Sequence, residues 1–298
     1  MNETTLMRFP RAWRWRTWAG MLILLSGTFI LTERFWHAVQ SEPAVWNALL
    51  GGSAAALATA LGTLPVLFAH RLSERFQDTF FGFGAGIMLA ASAFSLIVPG
   101  FEAAQALGTL GQGTMGPGAL IGTAVVLGAF ALLKLDQILP HEHALPGEDV
   151  ATARKLRSTW LFVIAIAFHN LPEGLAIGAS YAGSESVQAN ALTMGIAFQN
   201  VPEGMIVATA LVAAGYRRTA AMMVGMASGL VEPLGAVVGA AVMSHSTALL
   251  PWGLGFAAGA MLFVIFHEIL PELIRKGHGV YAVSGLAGGF LLMMNLGS

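Results

Sequence analysis

Long apolar stretches alternate with short polar connections along most of the chain. Crossing a hydrocarbon core of about 30 Å takes roughly 20 helical residues. Runs of that length fall at about 18 to 38, 45 to 69, 79 to 103, 116 to 135, 159 to 180, 189 to 214, 219 to 243, 247 to 270 and 279 to 297. The pattern predicts an all-α polytopic membrane protein with nine spans. The first span has a signal-like positive flank of Arg8, Arg11, Arg14 and Arg16, but it is long and ends in Glu33-Arg34-Phe35-Trp36 with no small-x-small cleavage site close behind. It is expected to be retained. A basic tail (1–16), a first transmembrane helix (17–40) and one membrane domain (41–298) follow from this reading.

The connections set the orientation, because cytoplasmic loops carry the excess of Lys and Arg. With the N-terminus cytoplasmic, the inner stretches hold Arg8, Arg11, Arg14 and Arg16, then Arg71 and Arg75, then Lys134, Arg154, Lys155 and Arg157, then Arg217 and Arg218, then Arg275 and Lys276. Only Arg34 falls outside, where Glu33, Glu42, Glu102 and Glu185 lie instead. One missed or extra helix would scramble every later loop, so the asymmetry supports both the count and the topology. The C-terminus is then expected outside, in a bacterial inner membrane the periplasmic side.

Composition agrees with lipid as the solvent: 56% of the residues are hydrophobic and 10% charged, against about 25% charged in soluble domains. A net charge of -1 leaves no basic footprint for nucleic acid. The 36 glycines suit transmembrane packing, where small residues let helices approach closely. With no cysteine, a metal site would have to use His, carboxylate, amide or Met.

Two segments repeat thirty residues apart: Ala165-Ile-Ala-Phe-His-Asn-Leu-Pro-Glu-Gly174 and Gly195-Ile-Ala-Phe-Gln-Asn-Val-Pro-Glu-Gly204, identical at seven of ten positions. Each lies mid-span, and the spans run antiparallel through one short loop. His169, Asn170 and Glu173 share a helical face, as do Gln199, Asn200 and Glu203. Pro172 and Pro202 each remove the hydrogen bond to the carbonyl four residues back, those of Phe168 and Phe198, and kink the helix. Glu232 in Ser228-Gly-Leu-Val-Glu-Pro-Leu-Gly235 and Glu272 in His267-Glu268-Ile-Leu-Pro-Glu272 again pair carboxylate with proline.

A charged side chain at mid-membrane costs about 2.5 to 3.5 kcal/mol on the insertion scale, so Glu173, Glu203 and Glu232 together would cost on the order of 10 kcal/mol if ionised and unpaired. No Lys or Arg lies within these helices. Protons or a bound cation must offset the charge, and imidazole with carboxylate suits zinc and its first-row neighbours. A lone His169 would more often be a packed interior histidine. The repeated Pro-Glu-Gly at matching depth outweighs that reading. His141, Glu142 and His143 sit in a cytoplasmic loop, where solvated polar residues are commonplace, and Met88 is by itself one of 14 methionines.

His169-Asn170-Leu171-Pro172-Glu173-Gly174, Gln199-Asn200-Val201-Pro202-Glu203-Gly204, Ser228 to Gly235 and His267 to Glu272 together resemble the ZIP (Zrt- and Irt-like) family of divalent metal transporters, in its bacterial GufA-like branch, over roughly 45 to 298. The resemblance implies an eight-helix bundle in a three, two, three arrangement with inverted outer repeats, to which the first predicted span is an extra helix. It implies a binuclear centre: His169, Glu173, Gln199 and Glu203 around one ion with Met88 as a fifth ligand, and Asn170, Asn200, Glu203 and Glu232 around the second. Ser95 and Glu102 would line the outer entrance, and Asp136, His141, His143, His267, Glu268 and Glu272 the cytoplasmic exit. Many members carry His where this chain has Gln199, and some carry Asp where it has Asn200, which implies weaker binding and broader selectivity.

The function so implied is import of zinc, and also cadmium, iron or manganese, as transported substrate, with no prosthetic group. The resemblance also admits a homodimer. Two alternatives use similar residues: an intramembrane metal-dependent hydrolase, which would be expected to show a His-Glu-x-x-His helix that this chain lacks, and a proton-coupled carrier of organic solutes.

Overall fold

A computed structural model describes residues 39–68, 73–109, 115–138, 150–183, 185–275 and 279–296, with isolated positions nearer the start. The chain divides into Met1–Pro43 and Ala44–Ser298. The expected basic tail (1–16) and nearly all of the expected first helix (17–40) lie outside the described residues.

In the second unit the described residues form helices and no strand. Seven are long and apolar enough to cross a bilayer: α1 (Pro43–Phe68), α2 (Glu74–Gly108), α3 (Pro117–Leu135), α5 (Ser186–Ala213), α6 (Arg218–Ser244), α7 (Leu250–His267) and α8 (Gly279–Leu296). Between α3 and α5 runs α4 (Val150–Gly183), 34 residues long. Each expected span from 45 onward coincides with one of these helices. The chief difference is at the start of α4, which begins before the expected 159. At 1.5 Å per residue it is about 51 Å long, well beyond the hydrocarbon core. The Ala-Thr-Ala-Arg-Lys-Leu-Arg stretch contains no Gly or Pro to stop a helix, so the apolar span simply continues into polar surroundings.

Glycines set the crossings. In α2 and α8, Gly82 lies against the Ala282 carbonyl and Gly86 against that of Leu286, while Gly285 and Gly289 meet those of Thr79 and Phe83. The α3·α7 crossing uses Gly128 on the Phe256 carbonyl and Gly259 on that of Val125. In α4·α6, Gly174 and Gly178 face the carbonyls of Glu232 and Ala236, and Gly235 and Gly239 face those of Leu171 and Leu175. At α1·α5, Gly62 abuts the Val201 carbonyl and Gly204 that of Thr59. A side chain at any of these positions would overlap backbone, so the absence of a Cβ permits the approach.

These contacts have a symmetry. Exchanging α1 with α6, α2 with α7, α3 with α8 and α4 with α5 converts α2·α8 into α7·α3, α4·α6 into α5·α1, and the α4·α7 packing into α5·α2.

Irregular turns interrupt four of the helices, α1 among them at Leu64, just before Pro65. Helix α2 widens into a π turn at Ala91–Ile97, and α7 runs on into a π turn at Ile265–Ile269 followed by Leu270–Arg275. Each π turn ends two residues before a proline, Pro99 or Pro271. Helix α6 breaks at Gly229-Leu230, where the uninterrupted expectation of 219 to 243 did not foresee a break. Pro233 has no N–H for the Gly229 carbonyl, and the Glu232 N–H turns to that carbonyl instead at 3.1 Å. The Ser228 carbonyl thereby loses its helical donor.

The glycine crossings predict a contrast. Gly289→Ala would put a Cβ 2.0 Å from the Phe83 carbonyl oxygen, and such overpacking costs about 1 to 3 kcal/mol, read as a lower thermal midpoint in detergent. Gly122→Ala, inside α3 with nothing within 4 Å of the new carbon, should hold or slightly raise the midpoint, since alanine is the better helix former.

Candidate metal centre

The repeated motifs meet because α4 and α5 are consecutive and antiparallel, joined by a short turn before Ser186. Each motif's glycine then admits a further helix: Gly174 brings the backbone of Glu232 against α4, and Gly204 brings that of Thr59 against α5. Four helices therefore converge on the two proline-bearing motifs.

The polar side chains there form one buried network. Gln199 Nε2 donates to Glu173 Oε1 and to Asn200 Oδ1, the latter at 2.8 Å. Asn200 Nδ2 donates to Glu232 Oε2 at 2.7 Å and to the Ala55 carbonyl at 3.3 Å. Thr59 Oγ1 donates to Glu232 Oε1 at 2.9 Å. Asn170 Nδ2 takes the Ser228 carbonyl at 3.0 Å, the acceptor released by the α6 break. Glu173, Asn170, Asn200 and Glu232 are wholly buried, and Gln199 and His169 nearly so. Glu203 is half-buried.

Donors and acceptors do not balance. Asn170 Oδ1, Glu173 Oε2 and Gln199 Oε1 are buried without a hydrogen-bond partner, and all are acceptors. Both fully buried carboxylates, Glu173 and Glu232, receive their hydrogen bonds from neutral amide and hydroxyl groups. Buried oxygens short of protons are what a cation satisfies, since hard ions bind carboxylate and amide oxygen. Among the described residues no three His, Asp or Glu stand together as a metal-holding group. That fits the sequence, because amides occupy Asn170, Gln199 and Asn200 where a richer site would use ionisable ligands.

The remaining expected residues fall elsewhere or beyond reach. Met88 is buried in α2, one turn after Gly84, whose position faces Gln199 and Pro202 at 3.6 to 3.8 Å. Ser95 is half-buried in the α2 π turn and Glu102 is exposed on the same helix. His267 is exposed in the α7 π turn and stacks on Phe263 at 4.6 Å. Asp136, Glu268 and Glu272 lie on described helical backbone, while His141 and His143 lie outside the described residues.

Sequence reasoning missed Thr59 and the carbonyls of Ala55 and Ser228. Thr59 sits in an apolar stretch with no motif around it, so nothing local marks it. The Ser228 carbonyl had a signal, the Glu232-Pro233 pair. The proline rule alone points to Gly229, however, and only the shifted Glu232 N–H moves the vacancy to Ser228.

A multi-pass helical bundle whose interior gathers carboxylate and amide oxygens on two proline-bearing helices defines a membrane protein that handles cations. Comparison with known proteins specifies the class. The family model described as ZIP Zinc transporter matches residues 139–297. "Zinc transporter ZIPB" of Bordetella bronchiseptica is 48% identical over 284 residues, 93% of this chain and 88% of the relative. "Zinc transporter GufA" of Myxococcus xanthus is 42% identical, covering 83% of this chain and 96% of the relative. "Zinc transporter ZIP11" of Homo sapiens is 30% identical over 87% of this chain and 98% of that protein. The chain belongs to the ZIP family and is a membrane transporter, not an enzyme.

Thr59 gives a direct check on the network. Thr59→Val leaves Glu232 Oε1 without its hydroxyl donor and is expected to lower the stability of the metal-free protein by about 1 to 3 kcal/mol, measured by thermal unfolding. Thr59→Ser, which keeps the hydroxyl, should restore most of it.

Proposed function

We propose that this protein imports divalent transition metal ions, zinc foremost with cadmium, iron or manganese as further substrates, across the bacterial inner membrane. The ion would rest between α4 and α5, in a binuclear centre built from His169, Asn170, Glu173, Gln199, Asn200, Glu203 and Glu232, with Met88 reaching in from α2. The observation that carries this is the set of buried, unpartnered acceptor oxygens on Asn170, Glu173 and Gln199. They accompany two carboxylates, Glu173 and Glu232, whose described hydrogen bonds come from neutral amide and hydroxyl donors. The relatives' names as zinc transporters support the choice of ion.

The exchange symmetry of the helix pairings supports alternating access, since inverted repeats place the substrate site at their interface and rock around it. The basic loops favour a cytoplasmic N-terminus, and import follows from the family resemblance. Ser95 and Glu102 would then serve the outer approach. Asp136, His141, His143, His267, Glu268 and Glu272 would serve the cytoplasmic exit.

Uptake of zinc into proteoliposomes tests the centre. Glu173→Ala combined with Glu203→Ala should abolish flux above the empty-vesicle rate; an unchanged rate would remove this site from the pathway. Acidity should act in one direction. Metal binding requires deprotonated carboxylates and a neutral His169, so zinc affinity measured by calorimetry should fall as the pH is lowered.

A further inference from the structure

The two π turns share more than their shape. In α2 the segment reads Phe94-Ser95-Leu96-Ile97-Val98-Pro99, and in α7 Phe266-His267-Glu268-Ile269-Leu270-Pro271. Phe, Ile and Pro recur at the same spacing, on two helices that exchange under the pairing symmetry. This repeat is weaker than that of α4 and α5 and is confined to the two irregular turns.

Hydrogen bonding explains what the spacing achieves. In α2 the Val98 N–H donates to the Ala93 carbonyl, five residues back. Pro99 has no N–H. The Phe94 carbonyl therefore loses both the donor of an α turn, taken by Ala93, and that of a π turn, deleted by proline. In α7 the Leu270 N–H donates to the Ile265 carbonyl, and Pro271 deletes the next donor. The Phe266 carbonyl is stripped in the same way. A proline in a regular helix frees the carbonyl four residues back, as at Phe168 and Phe198. Here the widened turn moves the vacancy one residue further, in both helices, onto a phenylalanine again.

Placement gives the vacancies a use. Along α2, Ile87 and Met88 before the π turn, Ser92 and Leu96 within it and Ala104 beyond it are buried, whereas Phe94, Val98 and Phe101 are exposed. Along α7, Ala258 and Gly259 are buried, and Phe266, His267 and Ile274 are exposed. Each π turn thus presents an exposed face while Leu96 in α2 and Ile265 in α7 keep the opposite face in the core. The helices run in opposite directions, so the two turns lie on opposite sides of the central site. Bare backbone within a bilayer persists only where protein or a wet cavity surrounds it. The Phe94 carbonyl is six residues from Met88, roughly 9 Å along a helix, a short step for an ion.

We infer that the Phe94 and Phe266 carbonyls are relay ligands for the travelling cation, one on the outer side of the central site and one on the inner side. Each replaces part of the ion's water shell, as carbonyl oxygens do in ion filters. Ser95 and His267, the next residue in each turn, stand beside them. The π turns exist to hold these oxygens free of helical donors, in keeping with the frequency of such turns at functional sites. This inference rests on the transport reading above.

The test returns the missing N–H without the ring, then removes it again. Pro99→Ala and Pro271→Ala each supply a donor for the Phe carbonyl. Each should slow zinc uptake into proteoliposomes by about tenfold, the equivalent of one hydrogen bond on the barrier, with unchanged zinc affinity at the central site by calorimetry. Placing an α-hydroxy acid, lactic acid, at position 99 or 271 gives an ester that has neither the ring nor the N–H. It should transport within about twofold of the parent. Equal rates for the alanine and ester forms, whether both normal or both slow, would overturn the inference by assigning the effect to the ring and its kink. Unchanged calorimetric affinity shows that a variant has folded. Persistent flux in the combined Glu173→Ala, Glu203→Ala protein would instead refute the central site, independently of the proline series.

Discussion

Carboxylates inside a bilayer need their charge answered, and the hydrogen bonds described at Glu173 and Glu232 come from neutral groups. Gln199, Asn200 and Thr59 donate to them. Neutral donors orient a carboxylate without cancelling its charge, whereas an arginine would cancel the charge and close the site permanently. A centre that must accept a doubly charged ion and later release it needs oxygens that are held in place yet electrically unanswered. The surplus of acceptors over donors among Asn170, Glu173 and Gln199 is that condition expressed in hydrogen bonds.

The rest of the bundle serves to create this cluster. Glycine at 174 and 204 lets α6 and α1 approach the proline-bearing pair so closely that Glu232 and Thr59 enter the network. The break at Gly229-Leu230 turns the Glu232 N–H away from Ser228 and frees a carbonyl to hold Asn170. Packing and chemistry are therefore not separable here: enlarging a motif glycine would displace a helix that contributes to the polar network. The same logic reaches α2 and α7, where prolines after widened turns strip a carbonyl of its helical donors.

Sequence patterning was enough for the helices from 45 onward, because a bilayer demands a fixed apolar length and leaves little freedom in where a span can sit. It was also enough to bring the duplicated motifs of α4 and α5 together, where Glu173, Gln199 and Asn200 join one buried network. It failed where the cause was tertiary. Thr59 looks like any threonine of α1 until Glu232 stands opposite it. The early start of α4 was hidden because hydropathy detects lipid, not helix. The π turns have a legible trace, Phe-x-x-Ile-x-Pro in both helices, but local sequence does not distinguish a widened turn from a simple proline kink. The expected extra first helix lies almost wholly outside the described residues.

A cation filling the acceptor cluster is the condition on which transport through this bundle depends. Anomalous scattering from crystals soaked in zinc would decide it. Peaks are predicted between α4 and α5, about 2.0 to 2.2 Å from His169 nitrogen and from carboxylate oxygens of Glu173, Glu203 or Glu232. Zinc bound only elsewhere on the protein, with the oxygens of Glu173 and Gln199 turned away from each other, would contradict it.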